Sequence, residues 1–74
     1  MQTLHDISIL QRVHDDAVAE ANSAAVAIAE IVADGIEPTN EDVERYRVAR
    51  LGVESTRRDL EYSLSLELAE LLNN

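Results

Sequence analysis

Along the first half of the chain, Ile7, Leu10, His14, Ala17, Ala21, Ala24, Ile28 and Ile31 follow one another at alternating steps of three and four. That spacing gathers one stripe on the side of an α-helix, the seam of a coiled coil, with His14 as its polar member. Alanine occupies the centre, so a helix packed on this seam comes close but buries little area per residue. Leu4, Val18, Ala25 and Val32 lie beside the stripe and are apolar as well. From Ala24 to Ala33 the helix is apolar almost all round, and one facing helix does not cover such a surface.

The second half carries Val43, Tyr46, Val53, Leu60, Leu64, Leu68 and Leu71 on one broad face, with Leu66 and Leu72 outside it. Between the halves lies the one strong break, Asp34-Gly35-Ile36-Glu37-Pro38-Thr39. Gly35 suits the left-handed position that closes a helix, and Pro38 stops the helix from resuming at once. Thr39 followed by Asp42 has the spacing of a capping box, and Glu41 adds negative charge to the same first turn. Upstream, Thr3 or Asp6 is a candidate first cap.

The pattern therefore predicts an all-α chain of one domain: a helix over about 4–34, a turn at 35–39 and a helix over about 40–72. Matched lengths and a short connection predict an antiparallel, coiled-coil-like two-helix hairpin. Folding about the middle of the turn brings Tyr46 near Ile28 and Leu64 near Leu10. Gly52 costs about 1 kcal/mol against alanine inside the second helix. Close approach of a neighbour is the expected compensation.

Two helices share only one interface, so surplus apolar surface predicts self-association, a helical protein partner, or both. The candidate partner-binding residues are Val26, Ile28, Ile31 and Val32 on the first helix, and Leu64, Leu66, Leu68, Leu71 and Leu72 on the second. Alone, the chain is expected to be a homo-oligomer.

Composition sharpens this reading. Seventy-four residues without a cysteine bury a small core with no disulfide to reinforce it. The start, MQTLHD, lacks the basic flank and apolar stretch of a signal peptide, and the longest apolar run is too short to span a bilayer, so a cytoplasmic chain with no membrane partner is expected. A net charge of −9 disfavours nucleic acid. The charge is uneven: five arginines and one acid between Arg45 and Arg58 give +4, leaving −13 elsewhere. Those arginines are expected to pair with acids on the neighbouring helix or chain, Asp15, Asp16 and Glu20 being near in the hairpin, with recognition of an acidic protein partner the second reading and nucleic acid the third.

Catalytic chemistry finds no foothold in the sequence. His5 and His14 are the only imidazoles, and no second histidine stands at the i, i+4 spacing that chelates a metal. Ser55, Ser63 and Ser65 have no base nearby in sequence, and the two glycines form no phosphate-binding loop. No enzyme activity, cofactor or metal is expected. A polar seam residue that sets helix register is the reading for His14.

The break Gly35-Ile36-Glu37-Pro38, a preceding helix of alternating Leu, Val and Ala, Tyr46 and arginines early in the second helix and leucines late in it resemble a known layout. It is that of the small helical-hairpin co-chaperones of bacterial type III secretion needle or pilus subunits, the YscE/PscE/HrpF-like group. The resemblance implies pairing with a larger helical chaperone, the two together keeping a polymerisation-prone secreted subunit soluble in the cytoplasm. It transfers no individual site residue. The competing expectation is an acidic inhibitor or decoy that blocks a basic surface of a partner through Asp15, Asp16, Glu41, Asp42 and Glu44.

Overall fold

In the computed structural model, the backbone is described over residues 4–73 and side chains from Asp6 onward. Thr3 and the side chains of Leu4 and His5 lie outside the described residues. Helix α1 spans Leu4–Ala33 and helix α2 spans Asn40–Asn73, packed side by side as a rod with extents of 59 × 16 × 14 Å. The two-helix hairpin read from the pattern is the fold, with each helix boundary within a residue of its expected place.

The turn is built from the residues that announce it. Gly35 has φ +76°, and three backbone bonds close α1: Asp34 N–H donates to the Glu30 carbonyl at 3.1 Å, Gly35 to Val32 at 2.9 Å and Ile36 to Ile31 at 3.1 Å. The last two are the paired bonds of a Schellman motif, which satisfy carbonyls that the helix end leaves open. At the start of α2, Thr39 and Asp42 cap each other. The Asp42 N–H donates to Thr39 Oγ1 at 3.2 Å, while the Thr39 N–H and hydroxyl donate to Asp42 Oδ2 at 3.0 and 2.8 Å. These bonds, the backbone one first, hold the Asp42 carboxyl below its ordinary pKa, with Arg45 assisting.

Across the interface, His14 Nδ1 lies 2.9 Å from Thr56 Oγ1. From this anchor the alternating steps run together. Counted outward from it, the half-buried and buried positions bring Leu10 and Ile7 opposite Leu60 and Ser63 toward the open end, and Ala17, Ala21, Ala24 and Ile28 opposite Val53, Ala49, Tyr46 and Asp42 toward the turn. Every member of the expected α1 seam is buried or half-buried. The core is made chiefly of small side chains: Ala21, Ala24, Ala49 and Ser63 are buried, and Leu60 is the one large apolar residue buried with them among the described residues.

Three expectations are corrected. Counted at equal rise from the His14–Thr56 contact, Tyr46 comes opposite Ala24 and Leu10 opposite Leu60, one helical turn from the expected Ile28 and Leu64 pairings. Gly35 turns the chain back, and Pro38 is half-buried before α2 begins. On α2, Val43, Leu64, Leu68 and Leu71 are exposed, while Ala49, Thr56, Ser63 and Glu67 join Tyr46, Val53 and Leu60 in the seam. Leu60, Leu64 and Leu68 follow in steps of four. Each such step turns about 40° past a full circle, so the leucines leave a seam that advances by threes and fours. Finally, a Cβ built at Gly52 meets nothing within 4 Å, so no close neighbour compensates for this glycine.

Candidate protein-binding surface

The register explains the exposed leucines. By the count from His14 and Thr56, residue 66 comes level with Leu4, where α1 begins, and the final turns of α2 run past that point. Around this end Leu64, Leu66, Leu68, Leu71 and Leu72 point to different sides and are all exposed, Leu72 to 85%. Within the seam here, Glu67 and Glu70 are half-buried, and Glu67 Oε2 is buried without a hydrogen-bond partner among the described residues.

The other candidate residues do not join this cluster. Ile28 and Ile31 are half-buried in the hairpin's own seam, whereas Val26 and Val32 are exposed near the turn at 55% and 56%. Val32 and Leu64 are separated by about 40 Å along the rod at 1.5 Å per residue. The structure thus places the nine residues in two regions, one at each end.

The arginine block is mostly local. Among the described residues only Arg45 crosses the hairpin, to Glu20 at 3.2 Å; Arg47 pairs with Glu44 at 2.6 Å and Arg57 with Glu61 at 3.8 Å, both within α2. Asp15 accepts instead from Gln11 Nε2 at 2.9 Å, and neither Asp15 nor Asp16 pairs with an arginine among the described residues. The pairing expected for Glu20 is present, through Arg45, while those expected for Asp15 and Asp16 are corrected. The bond from Arg47 lowers the Glu44 pKa and Glu44 raises that of Arg47. All three pairs are solvent-exposed, so each is worth about 0–1 kcal/mol and none of them holds the fold.

Charge divides the rod lengthwise. In an antiparallel coiled coil the g positions of the two helices face each other, as Glu20 and Arg45 do here. The flank formed by positions g and c carries Asp6, Asp16, Glu20, Glu30, Glu41 and Asp59 against Arg45, six acids and one base, for a net −5. The opposite flank, positions e and b, carries Asp15, Glu54 and Glu61 against Arg47, Arg50 and Arg57, for a net of zero. The five carboxylates expected of a decoy do not make one face. Asp16 stands level with Glu54, ten residues or about 15 Å from Glu44, and Asp42 is turned into its cap.

The acidic flank also exposes apolar side chains that the seam pattern passes over: Ile9, Val13, Val48 and Tyr62. Their signal lay in the i, i+4 pairs Ile9 with Val13 and Tyr62 with Leu66, which mark a second stripe beside the first. Among the described residues no three His, Cys, Asp or Glu side chains group as metal ligands, and no helix is long and apolar enough to cross a membrane. Comparison with known proteins gives no match, whether to family models, curated proteins or solved structures.

Proposed function

We propose that this chain is a non-enzymatic protein-binding module, a small cytoplasmic co-chaperone of a type III secretion needle or pilus subunit that works through apolar helix faces. The observation that carries the reading is the ring of exposed leucines at the open end of α2, on a helix that runs past Leu4. Exposed apolar side chains gathered at one place mark an interaction site. The thin core points the same way. Buried alanines contribute about 0.8 kcal/mol per methyl-sized group, against about 1.5–3 kcal/mol for a leucine, so the hairpin gains much of its stability by covering its leucines on another chain.

Alone, the protein covers them by self-association, and sedimentation should show dimers or larger species whose melting temperature rises with concentration. A stable, concentration-independent monomer overturns that part. The co-chaperone reading is tested by co-expressing the chain with its host's needle subunit and the larger helical chaperone. A complex of the three should co-purify and sediment together, and the double substitution Leu68→Ser with Leu71→Ser should release this chain while its helical circular dichroism persists. If the wild-type chain stays apart from both proteins at micromolar concentration, the reading fails.

A further inference from the structure

The flank formed by positions g and c is a second surface, away from the leucine ring except at Leu66. Ile9 and Val13 on α1 and Val48, Tyr62 and Leu66 on α2 are 39–66% exposed along it. Between them Gly52 offers no side chain and leaves open space, while Asp16, Glu20, Glu41 and Asp59 stand exposed among them, Glu20 and Asp59 at the same g positions as Val13, Gly52 and Leu66. Near the turn the flank opens into a groove of about 400 Å³ whose floor is Val48 and Ala49 and whose walls are Glu20, Glu41, Glu44 and Arg45. The surface interleaves exposed apolar side chains with carboxylates. We propose that it docks a basic amphipathic α-helix of another protein, with apolar side chains on Val13, Gly52 and Leu66 and lysines or arginines at the carboxylates interleaved with them.

Charge selects this occupant over the alternatives. A second copy using the same flank sets −5 against −5 at close range, which costs rather than gains. Nucleic acid and anionic lipid are repelled by the same field. A helix with a narrow apolar stripe packs along the flank of two helices, the helix-in-groove mode. From Val48 to Leu66 the surface is about 27 Å long, the length of about 18 helical residues. A lysine or arginine in the groove near the turn lays its methylenes on Val48 and Ala49 and its charge beside Glu41 and beside Glu20, whose carboxylate it shares with Arg45. The inference rests on the protein-binding reading only in general terms, since it uses neither Leu68 nor Leu71 and names a different surface.

The test is calorimetric titration with designed helical peptides of about 18 residues, one with a leucine stripe edged by lysine and arginine, one with glutamate at those edges. The basic peptide should bind and the acidic one should not. Any basic peptide is drawn to a chain of charge −9, so two triple variants of equal net charge separate this surface from bulk attraction. Asp16→Asn, Glu20→Gln, Asp59→Asn should weaken binding about tenfold or more, whereas Asp15→Asn, Glu54→Gln, Glu61→Gln on the opposite flank should change it little. Val13→Asp, checked for helicity, should weaken it too, and the Leu68→Ser, Leu71→Ser variant should bind normally. Equal losses from both triple variants, or equal binding of both peptides, overturn the proposal without touching the co-chaperone reading. Failure of the three-chain complex with success here does the converse.

Discussion

His14 Nδ1 and Thr56 Oγ1 are 2.9 Å apart across the seam, and this pairing marks which turn of α1 faces which turn of α2. The Thr56 hydroxyl has one proton and aims it at the Gly52 and Val53 carbonyls, at 2.9 and 3.1 Å. With that proton on either carbonyl, Oγ1 accepts from the imidazole and Nδ1 carries the hydrogen. Thr56→Val keeps the shape and leaves that half-buried donor unpaired, at a cost of about 1–3 kcal/mol. Combining it with His14→Leu should recover more than the loss, because an apolar layer replaces a polar one, while register becomes less specific. Urea denaturation of the four chains gives the coupling as a double-mutant cycle, and simple additivity would count against it.

Leu60 and Leu64 are one turn apart and should behave differently. Leu60 is 8% exposed, and Leu60→Ala should cost about 2–4 kcal/mol or unfold the hairpin. Leu64 is 42% exposed, and Leu64→Ala should cost less than about 1 kcal/mol. Midpoints of denaturation at low protein concentration, where association is weakest, decide between them. A larger loss at Leu64 would mean that the seam lies one turn further along.

The two glycines should respond with opposite signs. Gly52 sits in α2 with open space where a Cβ would go, so Gly52→Ala should stabilise by about 1 kcal/mol. Gly35 holds φ +76°, and Gly35→Ala should destabilise by about 1–2 kcal/mol through the strain of a left-handed alanine. Thermal melts of both variants check the pair. Destabilisation by Gly52→Ala would reveal a neighbour pressed on α2 in the assembled state.

The capping box predicts an acid-sensitive turn. The Asp42 pKa is lowered by the Thr39 N–H and hydroxyl, so its folded value lies below the ordinary 3.8. A depressed carboxylate contributes stability that is fully present above the unfolded pKa and is lost as pH falls through the folded one. The loss belongs below pH 3.8, and Asp42→Asn should flatten it. Thr39→Ala should cost about 1 kcal/mol at neutral pH. Stability profiles between pH 2 and 7, fitted against the wild type, make the comparison; an unchanged acid slope in Asp42→Asn would remove Asp42 from the account.

Much of this molecule was legible one residue at a time. Gly35, Pro38, Thr39 and Asp42 announce the turn because capping and left-handed backbone are local properties, decided within a few bonds. The α1 stripe from Ile7 to Ile31 was legible because its steps of three and four repeat without interruption, and one helix suffices to define them. On α2 the apolar residues offer two stripes, and nothing within that helix chooses between Leu60 with Leu64 and Leu60 with Ser63. The choice belongs to the partner: once His14 meets Thr56 and the chain reverses at Gly35, α2 can present only one side to α1. The leucines then fall outside the seam, and the charges sort into an acidic flank and a neutral one. Sequence fixes which faces each helix owns, through its 3.6-residue period. Tertiary register decides which of them meet, because it depends on where two distant residues come level.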